Sequence, residues 1–274
     1  MPIRKPSVSI VMPVHNGEAF LAESVRSVLR QSFLDWELIV VDDASDDASV
    51  HLVKSQCARD ERIRLIELEQ NSGAAVARNT AIEQAQGRYI AFLDSDDVWL
   101  PYKLERQLSF MHQSNAAFAY SGYERINEAG GHLISIGVPE SLQHHDLLKT
   151  NYVGCSTVIY DTSHVSKVFM PTNTKREDLA AWLRILKIIQ YANGLNVVLS
   201  QYRVYSVQSS QNKTKMAREN WKLYREVECL SLAKSAFYFS HYCVRGFFRS
   251  RFPRMALKLG MLHKVPATSQ KTTV

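Results

Sequence analysis

Apolar residues in the first half of the chain fall into short runs separated by stretches with helical spacing. Val8–Val14 (VSIVMPV) is a continuous apolar run of strand length, the pattern of a strand buried on both faces. Leu21, Val25, Val28 and Leu29 follow at the three- and four-residue spacing of a helix face. A second strand is predicted at Glu37–Val41, ending in Asp42-Asp43, then a polar helix carrying Val50, Val53 and Cys57. A third strand is predicted at Ile63–Leu68. Asn71-Ser72-Gly73 is a turn sequence that leads into an alanine-rich helix over 74–85. Tyr89–Leu93 reads as a fourth strand and runs directly into Asp94-Ser95-Asp96-Asp97, after which Pro101 suits the first turn of another helix. Strands alternating with helices predict an α/β fold with a mainly parallel sheet covered on both faces. Such sheets bind ligands beyond the carboxyl ends of their strands.

The second half is more mixed. Strands are expected at Ala116–Tyr123 and His132–Ile136, joined by a turn through Gly130-Gly131, and again at Tyr152–Tyr160 and Asn196–Val204. Glu177–Tyr191 has the period of a helix, with Leu179, Leu183, Leu186 and Ile189 on one side. From Lys213 to Arg251 the chain reads as helical and is rich in aromatic and basic residues. The resulting organisation is a main domain over 1–210, in two halves (1–104 and 105–210), followed by a helical C-terminal extension over 211–274.

Charge sharpens this division. The chain of 274 residues has a net charge of +6. No acidic residue follows Glu228, and the eight lysines and arginines beyond it leave residues 1–228 at −2. The basic character therefore belongs to the extension and points to an anionic partner. Phe237, Tyr238, Phe239, Tyr242, Phe247, Phe248 and Phe252 are interleaved with those charges. That mixture suits a helix lying on an anionic membrane surface, and equally a helix that packs its aromatic face on the main domain. Bulky aromatics beside a slightly acidic domain argue against nucleic acid as the partner. No run is long and apolar enough to span a bilayer, and no signal-peptide pattern stands at the N-terminus, so a cytoplasmic protein is expected, peripheral on the inner face of the membrane. Cys57, Cys155, Cys229 and Cys243 show no paired spacing, which argues against a zinc site or a disulfide framework.

Carboxylates gather at two predicted strand ends, Asp42-Asp43 and Asp94–Asp97. Crowding them in one cleft is costly unless a cation neutralises them, and oxygen ligands favour Mn²⁺ or Mg²⁺. A metal with few protein ligands can also hold a diphosphate. Turn and cap roles for the same aspartates are the plainer alternative.

The segments SIVMPVHNGEAFLAESVRSVLRQSF, WELIVVDDASDD, NSGAAVARNTAI and GRYIAFLDSDDVWLP resemble, in order and spacing over roughly residues 7–104, the family 2 glycosyltransferases of the GT-A fold. The resemblance implies that Pro13, His15, Asn16 and Glu18 line the nucleotide pocket and that Asp43 contacts the base. It implies further that Arg78 contacts the nucleotide, that Asp94 sits near the ribose, that Ser95 is a further substrate-binding residue, and that Asp96 ligates the metal bridging the diphosphate. Arg176-Glu177-Asp178-Leu179-Ala180-Ala181-Trp182 resembles the family's acidic motif, in which the aspartate is the general base. By that resemblance Asp178 is catalytic, Glu177 orients or contacts the acceptor, and Trp182 is a core residue. Lys213 and Lys215 are expected on a loop near the diphosphate, and His144-His145-Asp146 at a polar helix start.

The function implied is inverting transfer of a sugar from a nucleotide-diphospho-sugar, UDP foremost, to a glycan or lipid-linked acceptor in bacterial surface-polysaccharide assembly. The alternative is a non-catalytic nucleotide-sugar-binding or membrane-docked scaffold of the same fold. A phosphatase of the haloacid dehalogenase type would leave the ARN and VDD segments unused, and the absence of GxGxxG argues against a dinucleotide dehydrogenase.

Overall fold

The computed structural model describes residues 5–205 and 213–266. Its first part is the predicted alternation: β1 (Val8–Val14), α1 (Glu18–Leu29), β2 (Trp36–Asp42), α2 (Ser49–Cys57), β3 (Ile63–Glu67), α3 (Ala74–Gln84) and β4 (Tyr89–Phe92). β5 (Val98–Trp99), α4 (Lys103–Ser114), β6 (Phe118–Ile126), β7 (His132–Ile136), β8 (Ser141–Leu142) and α5 (His144–Lys149) follow. Then come β9 (Ile159–Asp161), α6 (Thr162–Val165), α7 (Glu177–Ile188), β10 (Ala192–Arg203), α8 (Lys213–Lys222), α9 (Leu232–Arg251) and α10 (Pro253–Lys258).

These strands form one 10-stranded sheet with the path β3-β2-β1-β4-β9-β6-β10-β5. The block β3-β2-β1-β4 is parallel, as the alternation requires, and β6 is parallel to β10. The joints between them, β4–β9 and β9–β6, are antiparallel, as are the β6–β7 hairpin and the edge strand β5. The sheet is therefore mixed, with its parallel character concentrated in the N-terminal half. The strand expected at Tyr152–Tyr160 shortens to Ile159–Asp161, because Cys155–Thr157 coil into a single 3₁₀ turn. Pro101 precedes the helix it was expected to open, since α4 starts at Lys103.

All seven residues of β1 are buried, and the period of two along the strands divides them between two cores. Val11, Ile39, Val41, Ile90 and Phe92 face the core roofed by Ala77, Ala81 and Ile82 of α3 and by Leu179, Trp182 and Leu183 of α7. Ile10, Met12, Leu38 and Val40 face the other, roofed by Leu21, Val25 and Val28 of α1 and by Leu104, Leu108 and Met111 of α4. Each such side chain contributes about 1.5–3 kcal/mol when fully buried, so the sheet holds the strand ends rigidly and the acidic loops project from a fixed base.

The C-terminal segment is bound to this body. Leu223 and Tyr224 are buried, and the Tyr224 hydroxyl donates to the Leu148 carbonyl at 2.5 Å. Glu228 is held by His144 (3.0 Å) and Lys187 (2.8 Å). Trp221 packs edge-on against Phe239. Beyond α10 the chain returns to the sheet, where Gly137 N–H donates to the His263 carbonyl at 3.1 Å. A Cβ on Gly137 would lie 2.6 Å from the Lys264 backbone, so only glycine permits this approach. Of the two roles open to the extension, packing on the domain is thus met by one of its faces. The opposite face leaves Phe237, Val244, Phe247 and Phe252 exposed. No helix of the described residues is long and apolar enough to cross a membrane. The boundary expected between 210 and 211 lies outside the described residues.

Candidate active site

The loops after β1 and β2 brace each other at the carboxyl edge of the sheet. Asn16, in the left-handed region with φ 50°, accepts from Asp46 N–H at 3.0 Å, and its own N–H donates to Ser45 Oγ. Glu18 accepts from Ala48 N–H at 2.9 Å. Both side chains expected in the nucleotide pocket therefore also hold the loop after β2 in place. His15 uses both ring nitrogens: Nδ1 meets the Asp43 carbonyl at 2.8 Å and Nε2 meets Asn71 Nδ2 at 2.9 Å. A carbonyl can only accept, so Nδ1 donates to Asp43, and the Asn71 amide holds the other ring nitrogen. Pro13 is buried in β1 opposite Val41.

Asp42 and Asp43 diverge. Asp42 turns back to Ser45, accepting from its N–H and Oγ. Asp43 accepts from Ser72 N–H and Gly73 N–H, each at 2.7 Å. Gly73 has φ 91°, which places these N–H groups ahead of α3 and explains a glycine at that turn. The turn role read from Asn71-Ser72-Gly73 is thus combined with a carboxylate anchor.

Arg78, on the buried face of α3, joins the two halves of the site. Its Nη2 donates to Asp94 at 2.6 Å and its Nη1 to Glu177 at 3.1 Å. Residues 16 and 99 positions away in sequence are thereby held on one guanidinium. Glu177 opens α7, so the same contact sets the position of the adjacent Asp178, whose Oδ1 accepts from Leu179 N–H at 2.7 Å. Burial, then the charge of Glu177, pushes the Asp178 carboxyl above its ordinary value. Asp94 and Asp178 line one cavity of about 700 Å³, together with Ser156, Tyr202, Tyr242 and Arg249.

The Asp94–Asp97 loop divides its carboxylates by depth. Asp97 is buried and fastens the loop, accepting from Ser156 Oγ at 2.5 Å and Arg203 N–H at 3.1 Å. Asp96 is less covered; burial, then the charge of Asp94, pushes its carboxyl up. The Tyr205 hydroxyl, itself pushed up to about 12 by burial and then by Asp96, stays protonated and donates to Asp96 at 3.1 Å. The Ser95 carbonyl accepts from Ser24 Oγ at 2.8 Å, which ties the loop to α1. Among the described residues no three histidine, cysteine or acidic side chains form a ready metal cage. Two neighbouring carboxylates, one of them resisting ionisation, fit a hard cation whose remaining ligands are phosphates and water.

Arg203, which sequence reasoning missed, is the lynchpin of this loop. It is 1% exposed and donates to the carbonyls of Asp96 (3.0 Å) and Glu128 (2.8 Å) and to Glu23 (2.6 Å), with its guanidinium over the Phe20 ring. A lone arginine at the end of a strand has no period to betray it. Arg203→Leu is expected to cost about 3 kcal/mol, the loss of a buried set of charge-assisted hydrogen bonds, measured as a lower urea midpoint at unchanged m-value. An unshifted midpoint would remove Arg203 from this role. His144 stands at the start of α5, where Gln143 and Asp146 form a capping box, as its polar character suggested. Lys213 and Lys215 lie on α8 and not on a loop, because the helix begins at Lys213.

A mixed α/β sheet with an acidic loop after β4, joined through Arg78 to an acidic helix start, fits the GT-A glycosyltransferases that the motifs resemble. The model of glycosyl transferase family 2 matches residues 9–162. The chain is 44% identical over 239 residues to TuaG of Bacillus subtilis (strain 168), provisionally named a teichuronic acid biosynthesis glycosyltransferase; the match covers 87% of this chain and 95% of that one. It is 38% identical over 248 residues to WfgD of Escherichia coli, a UDP-Glc:α-D-GlcNAc-diphosphoundecaprenol β-1,3-glucosyltransferase, covering 89% and 95%. Among solved structures, TarS 1–349 of S. aureus in complex with UDP superposes with a TM-score of 0.66 at 20% identity over 96% of this chain and 77% of that one. The mannosyltransferase PcManGT of Pyrobaculum calidifontis, in complex with GDP-Man and Mn²⁺, superposes with a TM-score of 0.63 at 14% identity, covering 94% and 80%. The chain belongs to glycosyl transferase family 2.

Proposed function

We propose that the protein transfers a sugar, with inversion, from a UDP-sugar to a hydroxyl of a lipid-linked glycan in bacterial surface-polysaccharide synthesis. The observation that carries this reading is the Arg78 bridge. It holds Asp94 and the start of α7 on one guanidinium, so that Asp94 and Asp178 share one cavity, which supports a donor side at Asp94 and an acceptor side at α7. In this reading His15, Asn16, Glu18 and Pro13 border the nucleoside, Asp43 meets the base, Arg78 stands beside the nucleotide, Asp94 meets the ribose, and Ser95 is a further substrate-binding residue. Asp96 would hold Mn²⁺ or Mg²⁺, whose chemistry is to neutralise charge on the departing diphosphate. Asp178 removes the proton from the acceptor hydroxyl as that oxygen bonds to the anomeric carbon. The bond from the anomeric carbon to the diphosphate breaks in the same displacement, and nucleoside diphosphate leaves. Glu177 acts through Arg78 by positioning α7. Proton NMR of the first product tests this directly: the new linkage should have the anomeric configuration opposite to the donor's, and retention would remove Asp178 as a single-displacement base.

The TuaG and WfgD relatives support a surface polysaccharide and, for WfgD, a diphosphoundecaprenol-linked acceptor. The UDP complex of TarS supports the nucleotide. An acceptor of that kind lies at a membrane, and the exposed face of α9 and α10 suits one. Phe237, Val244, Phe247, Phe252 and Met255 point outward, and Arg251, Arg254 and Lys258 are exposed beside them. Phe237→Ser/Phe247→Ser is expected to cut flotation with vesicles containing anionic lipid several-fold, since burial of each ring contributes roughly 2 kcal/mol. Equal flotation of the variant would move the membrane contact elsewhere.

A further inference from the structure

Three arginines face the cavity shared by Asp94 and Asp178, and they come from three separate elements: Arg125 on β6, Arg176 just before α7 and Arg249 on α9. None of them forms an ion pair with a carboxylate among the described residues. Arg176 gives Nε and Nη2 to Asn220 Oδ1, at 3.2 and 3.0 Å. Arg249 gives Nη2 to Thr150 Oγ1. Arg125 is exposed on the cavity wall. A guanidinium has five N–H donors, so each retains several for a ligand. Burial disfavours the charged form of Arg249, and Arg245, bonded to the Tyr152 hydroxyl at 2.7 Å, adds a like charge beside it. Arg176 is close enough to Asp178 for its charge to favour the ionised carboxyl, but guanidinium groups gathered in one cavity without a direct carboxylate partner are stabilised when an anion enters, and their planar forks match phosphate oxygens. His15 and Asp43, the proposed base-side contacts, do not line this cavity while Asp94 does, so the cavity adjoins the donor site at its ribose end and extends away from the base towards Asp178 and α9.

We propose that Arg125, Arg176 and Arg249 form a subsite for a phosphate or diphosphate carried by the acceptor, and that α9 is therefore a wall of the acceptor site. The inference rests on the glycosyltransferase reading above and adds to it the charge of the substrate this cavity accepts. It also gives the C-terminal segment two tasks on two faces: Arg249 inward on the acceptor phosphate, Phe237 and Phe247 outward on the surface where a lipid chain would lie.

The test is a fluorescence titration of the full chain in saturating UDP and Mn²⁺, which fills the donor site first. The probes are decyl diphosphate, uncharged decyl glucoside and inorganic pyrophosphate, against wild type, Arg249→Gln and Arg125→Gln. Decyl diphosphate should bind wild type at least tenfold tighter than decyl glucoside. Each variant should weaken it about tenfold or more, as loss of a charge-assisted hydrogen bond entails. Pyrophosphate should bind more weakly than decyl diphosphate; equal binding would point to free phosphate and overturn the acceptor assignment. Arg125→Gln alters an exposed side chain, so its result stands even if Arg249→Gln folds poorly. Unchanged affinity in Arg125→Gln and in folded Arg249→Gln, or an equal loss for decyl glucoside, would overturn the proposal. If wild type binds UDP and ignores decyl diphosphate, this inference alone fails; if it binds neither UDP nor any UDP-sugar, the glycosyltransferase reading fails.

Discussion

Asp178→Asn is expected to lower kcat by about 10²–10⁴-fold, the range a positioned general base contributes, while the KM for the donor changes little. The amide keeps the size of the side chain and its bond from Leu179 N–H but cannot take a proton. Burial and Glu177 push the Asp178 carboxyl above its ordinary value. In wild type kcat/KM should therefore fall on the acid side with an apparent pKa above the usual aspartate range. The same shift has a stability consequence. The folded chain holds this proton to a higher pH than the unfolded chain, so stability falls as pH rises through the window between the two values. Asp178→Asn removes that penalty and should unfold at a temperature no lower than wild type at pH 7. A variant that keeps its turnover would return Asp178 to the plainer role of an acid favoured at a helix start.

Asp96→Ala is expected to reduce turnover by about 10³-fold, corresponding to several kcal/mol of lost charge stabilisation, and to raise the Mn²⁺ concentration needed for half-maximal rate. The fold should survive, because Asp97 and Arg203 hold the loop without the Asp96 side chain: Arg203 bonds the Asp96 carbonyl, and Ser156 bonds Asp97. Asp97→Ala should behave differently, with loss of stability accompanying loss of rate. Equal rates for Asp96→Ala and wild type would remove Asp96 from the site. Equal destabilisation by Asp96→Ala and Asp97→Ala would contradict the division of labour between them.

The N-terminal half was legible because its signals are local. A buried strand is a contiguous apolar run, its carboxyl end is the next residue along the chain, and Asp43 and Asp94–Asp97 fall there by construction. The period of two even sorts Ile10 and Val11 onto different cores. The helix holding Asp178 was legible from its repeat, and the role proposed for it comes from a motif resemblance. Its distance from Asp94 was not, because only the fold brings Arg78 between Asp94 and Glu177. Arg203 and Tyr205 lay in an unremarkable strand end. The antiparallel joints around β9 were obscured because three residues carry too little pattern to show direction. The basic, aromatic tail could be read for composition but not for faces. That Tyr242 and Arg249 turn into the cavity while Phe247 turns out depends on which side of α9 meets α5 and Tyr152.

Donor turnover tests the proposed activity most directly. The purified full chain, given Mn²⁺ and a panel of UDP-, GDP- and dTDP-sugars, should release nucleoside diphosphate from at least one UDP-sugar, stop in EDTA and resume when Mn²⁺ is restored. A chain that binds none of these donors and releases nothing from any of them with Mn²⁺ present would contradict it.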